Sequence, residues 1–501
     1  MFCSLFSFSV TGIEAAVIKV EVDVGNGLPC FDMVGYLSGE VKEARERVRV
    51  ALRNSGYPVP AKRITVNLSP ADERKGGTGY DLAIALGILC NAGFLPWDDT
   101  EGVGILGELG LDGSVRAVPG VLPCVIAAKE AGFRAVLLPA ENAEEGALVE
   151  GIRVYGVRTL TEACEHFTGT GGMPAKQVPF APDESTAEDL SDIHGQFLAK
   201  RAAEIAAAGM HNLLLSGPPG AGKTMLARRI PGILPKLTFE ESLEITKVYS
   251  VAGLVPAEGG MITKRPFRAP HHTATVTALA GGGRSPMPGE MSLASGGVLF
   301  LDELPEFPRA SIEILRQPME ERCIQVARLQ GSVLYPASFM LVAAMNPCPC
   351  GYYPDRNRCR CTPDQITRYR SRISRPILDR IDISVPVHGL SPKELTGTPD
   401  GEKSAVVRAR VEVARRRQAE RFAGTSFRYN SDVPGRLLKD LFSVTPEAER
   451  VASEYAERTR CTARGYHRMW KVARTVADLS DCESVLPEHM TEAAGFRTDW
   501  R

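Results

Sequence analysis

The run Gly217-Pro218-Pro219-Gly220-Ala221-Gly222-Lys223-Thr224 constrains this chain more than any other stretch. The apolar Leu213-Leu214-Leu215 before it reads as a short buried strand, and Met225-Leu226-Ala227-Arg228 after it as the start of a helix. Glycines at this spacing let successive backbone N–H groups turn inward around phosphate oxygens, at the positive end of the following helix. Lys223 is then placed to neutralise β- and γ-phosphates, and the Thr224 hydroxyl to ligate Mg²⁺. The alternative is a Gly-rich turn that fits by chance, and the flanking strand and helix weigh against it. Mg-ATP is the expected ligand.

A second apolar strand, Val298-Leu299-Phe300-Leu301, delivers Asp302 and Glu303 at its end. Many strands end in acids, so the pattern gains force only because it follows the phosphate loop by about eighty residues. Asp302 is expected to hold the Mg²⁺ shell and Glu303 to polarise the attacking water. A third strand, Phe339 to Ala344, runs through Met345 to Asn346, whose amide can position that water or sense the γ-phosphate. Alone, an Asn before Pro347 would be read as a turn residue.

A chain of 501 residues suggests two or three domains. Residues 1–167 alternate strands and helices without a phosphate loop. Residues 168–190 turn to Gly, Pro, Ser and acids and read as a linker. A helix from Ile193 to Ala208 leads into the nucleotide-binding part, residues 191–389, and residues 390–501 read as mostly helical. The fold class is α/β. No apolar run reaches the ~20 residues that span a bilayer, so no membrane partner is expected. The apolar start lacks a basic flank, so a signal peptide is not expected and the cytoplasm is the natural compartment.

The formal net charge is −1, but the arginines are unevenly spread. Eight lie between Arg356 and Arg380 and six between Arg408 and Arg421. They read either as solvated helix faces paired with Glu402, Glu412 and Glu420 or as a phosphate-contacting surface. Twelve cysteines in a chain of this size point to reduced thiols or metal ligands rather than a disulfide framework. Cys348, Cys350, Cys359 and Cys361 form two C-x-C pairs that suit a tetrahedral structural Zn²⁺ site. Four free thiols are the alternative.

Several further blocks occur in a fixed order: Phe31-Asp32-Met33-Val34-Gly35, Arg63-Ile64-Thr65-Val66-Asn67-Leu68, Phe267-Arg268-Ala269-Pro270-His271-His272-Thr273 and Asn346-Pro347-Cys348-Pro349-Cys350-Gly351. With the phosphate loop, they make the chain resemble AAA+ ATPases of the Mg-chelatase-like ComM/YifB type. The resemblance implies an AAA+ P-loop NTPase core and a helical C-terminal lid. It puts Asn346 at the sensor-1 position, Arg380 at the arginine finger that reaches a neighbouring subunit, and Arg464 at the sensor-2 position. It also implies a pore hairpin between Cys323 and Tyr335, with Arg328 facing nucleic acid and His271 and His272 close by. Proteins of this type are understood as hexameric rings that move DNA branch points during natural transformation. DNA and further copies of the chain are therefore the expected partners. Gly107-Glu108-Leu109-Gly110-Leu111-Asp112-Gly113 gives the first part a resemblance to the Lon-protease/ribosomal-S5-like fold. The serine and lysine of Lon-type proteolysis are missing from Lys75 to Gly79 and near Leu122. A chelatase motor for porphyrin metallation, a nucleotide-switched scaffold and a protease are the rival readings.

Overall fold

The computed structural model describes residues 2–96, 100–177, 179–182, 188–256, 260–283, 286–328, 331–389 and 401–497. The molecule is mixed α/β and is organised on two larger sheets. The first has seven strands in the spatial order Cys30–Val34, Arg63–Ser69, Glu14–Gly25, Phe2–Thr11, Val103–Ile105, Ala135–Pro139 and Arg153–Val157. Its opening strand and Glu14–Gly25 pair antiparallel through a tight turn at Gly12, whose φ of 67° favours glycine. The apolar N-terminal stretch is thus a central strand, with Leu5 and Phe8 buried on opposite sides of the sheet.

The second sheet is parallel, in the order Phe267–Arg268, Val298–Leu301, Met340–Met345, Leu213–Ser216 and Ile383–Pro386. Its three middle strands are buried throughout, as a parallel sheet covered on both faces requires. One face carries Leu213, Leu215 and Phe300 toward helices Phe197–Gly209 and Lys223–Ile233 and the C-terminal helices. The other carries Leu214, Leu299 and Leu301 toward short helices around Ile312 and Ile377. Because all five strands run the same way, their C-terminal ends share one edge. That edge gathers the chemistry.

The C-terminal helices form where spacing and caps indicate: Ser404–Arg421, Pro446–Thr459, Ala463–Leu479 and Pro487–Gly495. Thr445 and Thr462 cap two of them by accepting from Ala448 and Gly465 N–H. One helix boundary shifts from its expected place. The helix expected from Ile193 begins at Phe197, after a short turn at Leu190–Asp192. Ahead of the last strand lie two short helices, Pro363–Arg370 and Arg375–Leu378, separated where Ser374 starts a new one before Pro376. Described parts of the linker are packed: Ala175 N–H donates to Val154 O, and Phe180 meets Phe239 edge-on. No helix among the described residues is long and apolar enough to cross a membrane.

Candidate nucleotide site

Strand Leu213–Ser216 feeds straight into the Gly-rich turn, and helix Lys223–Ile233 leaves it. Gly220 and Gly222 take φ of 75° and 87°, which a side chain would strain. At Gly217 a Cβ would lie 2.1 Å from Val387 O, so the loop passes the neighbouring chain too closely for any larger residue. The Lys223 ammonium donates to Gly217 O at 2.7 Å, Pro218 O at 2.9 Å and Asn346 Oδ1 at 3.1 Å. Burial lowers its pKa, and the carboxylates of Asp302 and Glu303 oppose that shift.

Thr224 Oγ1 donates to Asp302 Oδ2 at 2.7 Å. The two expected Mg²⁺ ligands therefore already face one point, although 78 residues separate them. A hydroxyl and a carboxylate are the hard oxygen donors that Mg²⁺ takes, with water filling the remaining positions. Glu303 follows with φ of 51°, a left-handed conformation uncommon outside glycine, and points a half-exposed carboxylate beside the loop. Its Oε2 lies 3.6 Å from His272 Nδ1, and the rings of His271 and His272 lie tilted against each other with centroids 4.0 Å apart. His271 Nδ1 also meets the Thr273 hydroxyl at 2.9 Å. The sequence offered no sign that His272 sits against Glu303, because the contact joins the ends of two neighbouring strands.

Arg380 and Arg464 lie elsewhere. Arg380 precedes Ile383, and Ile383 pairs with Leu213, the first residue of the phosphate-loop strand. Arg380 is thus at the N-terminal edge of the sheet, roughly 13 Å of strand away from the phosphate loop. Its guanidinium is largely buried, paired with Glu320 at 2.8 Å and donating to Pro376 O at 2.8 Å. Glu320 lines a cleft of about 680 Å³ that also takes in Arg464, Arg322, Arg428, Arg468 and Lys471. Arg468 donates to Arg380 O at 2.6 Å and pairs with Asp382. Burial opposes ionisation of Asp382, yet Arg468 and His211 hold its carboxyl well below the usual range. Burial draws Lys471 down to about 8. Arg464, Arg468 and Lys471 fall at i, i+4 and i+7 of one helix, so this basic stripe was visible in the sequence.

The Cys348, Cys350, Cys359 and Cys361 thiols converge, their sulfurs all within 4.8 Å of one another. The expected hairpin forms from Cys323–Arg328 and Gly331–Pro336. The Arg328 side chain lies outside the described residues. Of the arginine runs, Arg410 pairs with Glu204 and Glu402, Arg421 with Asp478, and Arg415 lies half-buried over the Tyr429 ring. These are internal contacts.

Known proteins are similar to this chain over nearly its full length. The family described as magnesium chelatase, subunit ChlI, matches residues 189–395. Its companion descriptions match residues 20–142 and, for the ChlI C-terminal part, 401–497. Competence protein ComM of Haemophilus influenzae is 42% identical over 505 residues, covering 98% of this chain and 97% of its own. YifB of Escherichia coli is 42% identical over 489 residues, covering 97% and 95%. Lon protease 2 of Bacillus subtilis is 31% identical over 176 residues, 35% of this chain and 29% of its own. The chain belongs to the Mg-chelatase-like AAA+ proteins of the ComM/YifB type.

Proposed function

We propose that the chain is an ATP-hydrolysing motor that acts on branched or single-stranded DNA as a homo-oligomeric, hexameric ring in the cytoplasm. The observation that carries the ATPase part is the meeting of Lys223, Thr224, Asp302, Glu303 and Asn346 at one sheet edge. In this reading the loop N–H groups and Lys223 bind the phosphates, while Thr224 and Asp302 hold Mg²⁺. Bound there, Mg²⁺ supplies positive charge against the phosphate oxygens. Glu303 takes the proton of the attacking water, and Asn346 orients that water. Arg380 and Arg464 serve a neighbour's nucleotide, which suits their place on the opposite edge. We read residues 1–167 as a Lon/S5-like unit, 168–190 as a linker, 191–389 as the ATPase core and 390–501 as the lid.

DNA as the object of the motor rests on the likeness to a competence protein and on the hairpin at Cys323–Pro336. Branch migration during uptake of DNA is the specific activity we assign. Proteolysis has no support: Thr78 donates its hydroxyl proton to Glu108, and Leu122 N–H is taken up by Glu145. The four thiols are read as one structural Zn²⁺ site, separate from Mg²⁺. A chelatase motor is the second reading, because the matched family is described by that activity. Steady-state ATPase with single-stranded, duplex, forked and four-way DNA, beside a porphyrin control, separates the two. Forked or four-way DNA should accelerate turnover, and rising salt should weaken the effect. An ATPase indifferent to every DNA form overturns the DNA reading, and stimulation by porphyrin alone selects the chelatase.

A further inference from the structure

The strand that supplies Asn346 continues within two residues into the first cysteine of the cluster. Two backbone and side-chain bonds tie its end to the phosphate loop: Gly217 N–H to Met345 O at 3.2 Å, and Lys223 Nζ to Asn346 Oδ1 at 3.1 Å. The cysteine loop then turns back onto the same phosphate loop. Gly351, at φ 86°, lies so close to Pro219 that a Cβ would come within 2.4 Å of the proline Cδ. Its N–H donates to Cys348 O at 2.9 Å, which links the contact point to the first thiol.

The sulfur separations suit a metal and not a disulfide. Cys348 to Cys350 is 3.4 Å, Cys350 to Cys359 is 3.6 Å and Cys348 to Cys359 is 3.8 Å. Four thiolates at the usual Zn–S length would sit about 3.8 Å apart at the corners of a tetrahedron. A disulfide would need about 2.05 Å. The loop has little else to hold it: its own buried cluster consists of Cys348, Cys359 and Ile366, with Tyr352 and Tyr353 half-buried around them. On its outer side Arg358 stacks on Tyr352 at 3.9 Å, and Arg356 and Arg370 lie over Tyr353. A core this small needs a crosslink to keep one shape.

We propose that the metal held by Cys348, Cys350, Cys359 and Cys361 is a strut for the phosphate loop, so that metal binding and nucleotide binding are thermodynamically linked. The inference rests on the readings of these thiols as a zinc site and of Gly217–Thr224 as an ATP site. The metal fixes Gly351 against Pro219 and keeps Asn346 on Lys223. Without it the loop loses its backing, and part of the free energy of ATP binding goes into re-forming the turn. Linkage is reciprocal, so whatever factor the metal adds to nucleotide affinity, nucleotide adds to metal affinity.

The test uses the full chain purified without chelators. Elemental analysis gives zinc per chain. A fluorescent ATP analogue measures nucleotide affinity for the zinc-loaded protein, for protein stripped under reducing conditions, and after zinc is restored. Competition with a zinc-selective dye in excess Mg²⁺ measures zinc affinity with and without nucleotide. Stripping should weaken nucleotide binding by about tenfold, restoration should reverse it, and nucleotide should tighten zinc by the same factor. Pro219→Ala, which removes the ring atoms facing Gly351 and leaves the thiols intact, should keep its zinc and weaken the dependence of zinc affinity on nucleotide. Equal nucleotide affinity with and without zinc overturns the strut. So does full linkage in Pro219→Ala. Absence of zinc with all four thiols reactive overturns the metal reading beneath it, a result read from elemental analysis beside a thiol titration and independent of nucleotide binding.

Discussion

At Lys223 three acceptor oxygens converge on one ammonium, two from the loop itself and one from Asn346. A cation so placed is held against its own burial, and the same position is where phosphate oxygens would meet it. Lys223→Ala should weaken ATP binding by about 10- to 100-fold, the loss of a charge-assisted contact worth about 1.5–3 kcal/mol. Glu303→Gln should bind ATP at near-parental affinity and turn over at least about 100-fold slower, because only proton transfer is removed. Equilibrium binding beside single-turnover hydrolysis distinguishes the two, and parental turnover in Glu303→Gln removes the residue from water activation. The loop that carries Lys223 and Thr224 was legible in the sequence because strand, turn and helix are encoded in adjacent residues, and Asp302 was read from a second apolar strand ending in acids about eighty residues later. The company of Glu303 was not. His272 reaches it from the end of another strand, and no local spacing encodes that approach.

Between the two sheets the fold is joined at a helix terminus. Helix Val121–Glu130 begins after Gly120, which has no side chain to cap it. The cap comes from outside: Gly120 N–H donates to Ser250 O at 2.9 Å, and Leu122 N–H to Glu145 Oε1 at 3.0 Å and Ser250 Oγ at 3.3 Å. Ser250 belongs to helix Phe239–Val251, which follows the phosphate-loop helix in the chain. Burial raises the Glu145 pKa, and hydrogen bonds from Ser250, Leu122 N–H and Asn142 only partly offset it. A carboxyl whose folded pKa is raised contributes most below its unfolded value, about 4.3, and progressively less as pH rises through the folded value. Glu145→Ala should therefore cost about 1–3 kcal/mol, with the larger penalty at mildly acid pH and the smaller near neutrality. Thermal unfolding of parent and variant across that range checks the sign, and a penalty that grows with pH contradicts it. The alternation of strands and helices in residues 1–167 was legible from spacing, but this seam was not, since an uncapped Gly120 looks like any helix start until Ser250 is brought to it. The opening strand was missed for a different reason: an apolar N-terminus carries no sign of the partner at Glu14–Gly25 that makes it a strand.

For the whole molecule, the parallel sheet keeps Lys223 and Arg380 on opposite edges, so one chain cannot bring both to the same phosphate without breaking the strand between them. Paired with Glu320 and bonded to Pro376 O, Arg380 is neutralised in the single chain. A neighbour's phosphate at the cleft of Arg464 and Arg468 would compete with Glu320 for that guanidinium, and a planar fork suits either partner. In the proposed ring, assembly would complete each nucleotide site with a residue from the next subunit, which folding of one chain cannot do. Arg380→Ala should bind ATP nearly as the parent does and hydrolyse it on the order of 10³-fold more slowly. Lys223→Ala fails for the opposite reason, having an intact arginine and a defective phosphate loop. Mixed rings of the two contain one interface type with both groups intact, so titrating one variant into the other should restore part of the ATPase. Sedimentation shows whether rings form at each ratio. Mixed rings without recovered turnover contradict a role in trans, and full activity of Arg380→Ala alone leaves Arg380 as nothing more than the partner of Glu320.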